Sequence, residues 1–379
     1  MLKEIAYLFL RLGSTAFGGP AAHIAIMEDE IVKRRQWITH EHFLDLLGAT
    51  NLIPGPNSTE MAIHIGYVKA GWRGLVIAGA CFIFPAIAIT LLLAHLYVLF
   101  GTIPQVGRLM WGIRASIIAV VLGAVVRLGR PMARKPAMMI LGFAVIVLSI
   151  LHVDEVVLLL AAGAAGLLWS IRHRVAADSL RLWVFIPLAL LMPWGLTTPS
   201  GSQDPATLTG LGLFFLKIGS ILYGSGYVLV AFLQGGLVDV HHWLSQTQLL
   251  DAIAVGQFTP GPVLSTATFI GYVILGVPGA LVSTLGIFLP SFVFVLITGP
   301  IIPRLRKSPL ASGFLDGVNA ASLGLMAAVC ITLGMSTFTS PGAWIIFALS
   351  AAILLRWNPN PVWIVVGSAA AGWILTLYQ

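Results

Sequence analysis

Charge is scarce in this 379-residue chain: Asp, Glu, Lys and Arg make up 9% of it, against 58% hydrophobic residues, and the mean hydropathy is +0.96. A soluble globule of this size needs far more polar surface, so that class is excluded and a polytopic membrane protein is implied. Cysteine is scarcer still. Cys81 and Cys330 each lie in an apolar segment without CxxC spacing, which leaves two membrane-buried thiols and no metal or redox site of that kind. No basic run with interleaved aromatics occurs, so the net charge of +7 gives no support to a nucleic-acid partner. It is concentrated in short loops and reports orientation in the bilayer. A cleavable leader is also absent from the pattern, because Glu4 and Arg11 interrupt the apolar run of "MLKEIAYLFLRLGSTAFGG".

What the chain does have is long apolar runs, such as Leu75 to Phe100 and Leu310 to Met335, broken in unexpected places. "NLIPGPNSTEM" (Asn51 to Met61) sets two prolines and a glycine inside one such region, and "QFTPGPVLSTA" (Gln257 to Ala267) nearly repeats it. The repetition is general. "FLRLGSTAFGGP" (Phe9 to Pro20) aligns with "FLKIGSILYGSG" (Phe215 to Gly226), and the same register pairs Trp37 with Trp243 and Asp45 with Asp251. After the loss of one residue, Gly66, Gly71, Gly74, Pro85 and Gly112 meet Gly271, Gly276, Gly279, Pro290 and Gly317. Such repeats are typical of secondary transporters.

The loops set the relative orientation of the halves. Basic clusters lie at Lys33 to Arg35, Lys69 to Arg73, Arg127 to Lys135, Arg172 to Arg181 and Arg304 to Lys307, and where one half has a cluster the matching loop of the other often has none. Swapped bias implies inversion. With every basic cluster cytoplasmic, residues 5–32 and 40–68 must leave and return to one side. Their arms of 12 to 14 residues are about 20 Å long, too short to cross, so both are expected to be re-entrant helical hairpins. Crossings follow at about 74–99, 104–126, 136–151 and 155–171, then a linker helix at about 182–196, then the same plan upside down with crossings near 279–302, 311–335, 341–356 and 361–378. The expected fold is therefore an all-α polytopic membrane protein, an inverted-topology repeat with re-entrant hairpins and about nine full crossings. Its units are residues 1–171, a linker over 172–207 and residues 208–379, with the N-terminus cytoplasmic. The alternative lets each 28-residue segment cross once, which would put Lys33 to Arg35 outside.

Broken backbone at membrane depth is tolerated only where protein or a watery cavity satisfies the freed groups. Gly55 as N-cap with Pro56 as first helical residue would leave the N–H groups of Asn57 and Ser58 free, and Gly19 with Pro20 would do the same, which makes an anion site at a positive helix end. The competing reading is that Pro and Gly only kink and pack helices. The candidate binding set is Gly18, Gly19, Pro20, His23, Pro54, Gly55, Pro56, Asn57 and Ser58 in the first half, with Gly224, Ser225, Gly226, Thr259, Pro260, Gly261, Pro262 and Ser265 in the second. Arg11 and Lys217 are matched cations that could hold one oxyanion from two sides, or could snorkel to an interface. Asp45, Glu60, His64 and Asp251 could carry a coupling proton, or could be ordinary capping and core residues.

"FGGPAAH" (Phe17 to His23), a basic segment ending in Trp37, "PGPNSTEM" (Pro54 to Met61), "GYVKAGWRG" (Gly66 to Gly74) and the Pro85 helix together resemble the chromate ion transporter (CHR) family in its long, two-domain form. That resemblance covers nearly the whole chain. It implies export of chromate across the bacterial inner membrane, with sulfate as a related oxyanion, no organic cofactor, and the FGGP and PGP motifs at the site. In the second half Tyr223-Gly224-Ser225-Gly226 replaces FGGP and lacks its proline. A homodimer is left open. The rivals are a membrane-embedded enzyme acting on lipid phosphate and a passive anion channel. The first would want clustered carboxylates, or His with Arg, and the Asp and Glu here are scattered.

Overall fold

The computed structural model describes residues 1–17, 20–101, 103–174, 205–223, 226–298 and 309–377. Within them the chain is helical, with no strand. The first half runs α1 (Leu2–Thr15), α2 (Pro20–Glu28), which continues as a π-helical turn Asp29–Arg34, α3 (His40–Thr50), α4 (Asn57–Phe100), α5 (Pro104–Gly129), α6 (Pro136–Ile150) and α7 (Glu155–Arg174). The second half runs α8 (Leu208–Ile221), α9 (Leu229–Leu233), which continues as a π-helical turn Gln234–Val240, α10 (Gln246–Phe258), α11 (Thr266–Thr298), α12 (Pro309–Thr337), α13 (Pro341–Trp357) and α14 (Pro361–Leu377). The expected linker helix at 182–196 and the basic cluster Arg304 to Lys307 lie outside the described residues.

The helices begin and end where local chemistry dictates. Thr39, Thr207 and Ser340 accept a backbone N–H at the starts of α3, α8 and α13, and Ser245 with Gln248 forms a reciprocal cap on α10. Proline occupies the first turn of α5, α6 and α13, where its missing N–H costs nothing. α4, α5, α11 and α12 are long and apolar enough to span a bilayer. α6, with 15 residues, is only about 22 Å long. Apolar side chains face outward as well as inward: Phe84, Phe143, Leu285 and Trp363 are all more than 60% exposed, as a lipid-facing surface requires. Cys330 is buried, as expected of it, whereas Cys81 is only half-buried.

α4 is not one rod. At Ala70 and Gly71 the backbone leaves helical geometry, Gly71 taking φ +59°, and the backbones of Gly66 and Gly74 touch. Residues eight apart in a straight helix would be about 12 Å apart, so the chain doubles back. Neither Gly66 nor Gly74 has room for a Cβ. α11 repeats the device at Gly276, φ +65°, with Gly271 against Gly279.

The start of α1, the turn after α2 and the middle of α4 gather together. Arg35 bonds Glu4 at 2.9 Å, and the Arg35 and Lys69 cations sit over the Trp37 ring at 5.4 and 5.1 Å. Residues 4, 35, 37 and 69 therefore share one end. In the second half Trp243 approaches Gly210 and stacks on His241, which touches Phe214. From the reversal at Gly71, α4 runs about 35 Å to His95, which bonds the Tyr272 hydroxyl at 2.7 Å, close to the second reversal. Tyr272 in the second half thus lies at the far end of α4 from the cluster of Glu4, Arg35, Trp37 and Lys69.

Candidate functional site

The helix breaks meet across the two halves. Gly55 N–H donates to the Leu222 carbonyl at the end of α8 (2.7 Å), and Gly261 N–H donates to the Ala16 carbonyl at the end of α1 (2.9 Å). Each Pro-Gly-Pro thereby caps a helix of the opposite half, satisfying a carbonyl that a broken helix leaves open. His23 joins the second junction: its Nε2 lies 3.1 Å from the same Ala16 carbonyl, its ring edges onto Phe82, and it is buried. Gly18, Gly19, Gly224 and Ser225 lie outside the described residues. α2 begins at Pro20 as expected, and Gly226 opens a short 3₁₀ turn, Gly226–Val228.

Local geometry at the first break differs from expectation by one residue. Pro56, not Gly55, is the N-cap, and α4 starts at Asn57, because Gly55 sits at φ +143° in order to reach Leu222. Thr59 and Glu60 donate their N–H groups to the Pro56 carbonyl. Asn57 and Ser58, the first two helical residues, have no intrahelical acceptor and present the positive end of the helix. Asn57 is half-buried and donates to the side chain of exposed Asn51 at 2.7 Å, while Pro54, Gly55, Pro56 and Ser58 are buried. The second break is less regular. Pro262 caps only a 3₁₀ turn, Val263–Ser265, before α11 begins. Thr259 and Ser265 face each other at 3.4 Å, and buried Pro260 and Gly261 lie beside a cavity of about 10 Å³ lined in part by Gln257, Thr259 and Asn360, room for about one water.

The matched cations differ in their partners. Arg11 is 42% exposed and bonds Glu30 at 2.7 Å, with Glu30 also bonded to Arg35 at 3.0 Å. The second half has Gly236 where the first has Glu30. Lys217 lies only in the longer-range field of Glu155 on α7, whose carboxyl group packs on Gly235, and of His241. In this conformation Arg11 is held in an ion pair, whereas Lys217 makes none among the described residues.

The four acidic and histidine candidates for coupling separate sharply. Asp45 is exposed on α3. Its counterpart Asp251 is fully buried and receives the Arg114 guanidinium through both oxygens (2.8 and 2.9 Å) and the Tyr97 hydroxyl at 2.9 Å. The half-buried Arg114 of α5 thus supplies the cation of this pair. His64 is buried on α4 with Nε2 unpartnered, and Glu60 is fully buried with neither oxygen bonded. Among the described residues no three His, Cys, Asp or Glu side chains gather to hold a metal ion.

The family described as "Chromate transporter" matches this chain over residues 3–167 and again over 209–373. The chromate transport protein of Cupriavidus metallidurans is 31% identical over 374 residues, covering 98% of this chain and 92% of that one. The probable chromate transport protein of Synechococcus elongatus is 29% identical over 380 residues, with 97% and 94% covered, and the chromate transport protein of Pseudomonas aeruginosa 31% over 382 residues, with 97% and 91% covered. No solved structure matches.

Proposed function

Because this chain belongs to the chromate transporter family, we propose that it exports chromate, with sulfate as a related oxyanion, across the bacterial inner membrane by secondary transport. The observation that carries this reading is the pair of reciprocal caps. They bring broken helices from both halves together at the start of α4, where half-buried Asn57 bonds exposed Asn51 and the first N–H groups have no acceptor within the helix. A tetrahedral dianion suits such a positive helix end. Residues 5–32 and 40–68 are read as re-entrant hairpins, supported by the shared end of Glu4, Arg35, Trp37 and Lys69, and the halves as inverted, supported by the His95–Tyr272 contact at the far end of α4. The remaining crossings of the nine are α6, α7, α13 and α14, with the linker helix; the shortest of them would need local thinning of the bilayer.

Uptake of chromate, sulfate, molybdate and phosphate into proteoliposomes, with and without an imposed pH gradient, tests the function. Gradient-driven accumulation of an oxyanion is expected. Equilibration without accumulation would instead indicate a channel, and turnover of a lipid phosphate an enzyme. Orientation has its own test. Gln36 and His242 are matched exposed turn residues at φ +52° and +53°. In intact cells, a cysteine at Gln36 should resist a membrane-impermeant thiol reagent and one at His242 should react. Labelling at Gln36 from outside would replace the hairpins by full crossings.

Arg11 and Lys217 remain proposed anion ligands, which requires the oxyanion to draw Arg11 from Glu30. If Arg11 serves the anion, Arg11→Gln should weaken apparent affinity about ten- to a hundredfold, the worth of one charged hydrogen bond, and Glu30→Gln should strengthen it. If Arg11 serves only the ion pair with Glu30, both single changes should lower abundance alike and leave affinity unchanged. Concentration-dependent uptake into everted vesicles, normalised to protein present, separates the two.

A further inference from the structure

Glu60 is fully buried, and neither of its carboxyl oxygens has a hydrogen-bond partner. It sits in the first turn of α4, and its carboxyl group folds back against Gly55, ahead of the helix end, where the Ser291 hydroxyl of α11 closes in from the other half. Ser291 is likewise fully buried and unpartnered. Two unpartnered polar groups from opposite halves therefore converge beside Gly55, just ahead of the first turn of α4.

No cation answers Glu60 among the groups described around it. Arg11 on α1 is bonded to Glu30, His23 on α2 to the Ala16 carbonyl, and Asp251 on α10 to Arg114. Asp45 is on the exposed side of α3, His64 lies one turn along the same helix, and α11 carries no charged residue. The Tyr223 hydroxyl, beyond α8, is within electrostatic reach. An unpaired carboxylate in such surroundings is strongly opposed by its lost hydration, a cost that binding a proton removes.

Resting on the reading that the end of α4 receives the oxyanion, we propose that Glu60 is a protonatable gate on that site. Ionised, its carboxylate competes with the oxyanion for the positive end of α4 and repels it. When a proton from water binds one carboxyl oxygen, the repulsion ends and the new O–H, with that of Ser291, becomes a donor to the anion. Proton and oxyanion then bind together, and by linkage each tightens the other. The anion class this suits is a tetrahedral dianion rich in acceptors.

The test uses the purified full-length protein, with labelled sulfate and chromate bound at equilibrium between about pH 5.5 and 8.5, and proton uptake followed with an indicator dye. Chromate's own protonation is common to all variants and cancels between them. Wild-type affinity should fall by up to about tenfold per pH unit once Glu60 ionises, with about one proton taken up per anion. Glu60→Gln should bind with a flat pH profile and no proton uptake by the protein, while Glu60→Asp should keep the slope. If neither variant accumulates, proton uptake on sulfate binding by the wild type decides alone. A wild type without pH slope or proton uptake, or a Glu60→Gln protein that retains both, overturns the gate and leaves the helix-end site standing. A wild type that binds neither anion removes the site and the gate with it.

Discussion

Gly55→Val is expected to abolish chromate export. The position sits at φ +143°, a conformation that costs a side chain about 1–3 kcal/mol. A Cβ there would collide with the Glu60 carboxyl group, with the Ser291 hydroxyl also inside contact distance. Relief comes from displacing the buried Glu60 and Ser291 side chains or from swinging Gly55 away from Leu222, which would uncap the end of α8 and re-aim Asn57 and Ser58. Gly55→Ala should already lose most of the activity, because the obstacle is the first carbon added. Gly261→Ala should be milder, since a Cβ there meets Ala86 at 3.0 Å and the Gly13 carbonyl at 3.3 Å. Export per protein molecule, from everted vesicles with quantified protein, is the measurement. Unchanged affinity in Gly55→Val would reduce the Pro-Gly-Pro to a packing kink.

The second large effect lies at Arg114. Removing one member of a buried ion pair leaves the other charge uncompensated, at a cost of about 3–5 kcal/mol. Asp251 is wholly buried and accepts from two guanidinium nitrogens, Nε and Nη2, so Arg114→Ala should strip it of its main partner, with only Tyr97 remaining. A large fall in thermal midpoint in detergent and in membrane abundance is expected. Arg114→Met combined with Asp251→Leu should recover much of the loss, since an apolar pair of similar volume carries no stranded charge. A double variant no better than Arg114→Ala would mean that the pair does more than hold α5 to α10. Transport lost in a well-folded double variant would return Asp251 to the coupling candidates.

Much of the architecture was legible in sequence because its determinants are local. Glycine and proline mark the breaks at Gly55 and Gly261, and the reversals at Gly71 and Gly276 follow from small residues at matched spacing on either side. The described helices at the expected crossings begin and end within a few residues of expectation, since apolar length and capping residues set those limits. The partnerships were not legible. Glu30 reaches Arg11 only because α2 returns along α1, and Asp251 finds Arg114 from 137 residues away across the two halves. The repeat offers no second copy of this ion pair, since Asn319 stands where Arg114 stands in the first half. Local capping rules chose Gly55 over Pro56 because they could not include a hydrogen bond to Leu222. The loneliness of Glu60 was equally hidden: absence of a partner is a property of the packed molecule.

The crossed hydrogen bonds from Gly55 to Leu222 and from Gly261 to Ala16 also bear on how such a molecule can be assembled. Each half carries the plug for the other and the socket for its partner's plug, so neither is finished by its own residues. A half made alone would enter the bilayer with an open carbonyl at the end of its first helix and an idle glycine N–H, both in hydrocarbon where no water can serve them. Only the complementary half relieves both defects at once. Joining the halves in one chain fixes that complement at one to one and supplies it during synthesis of the same molecule.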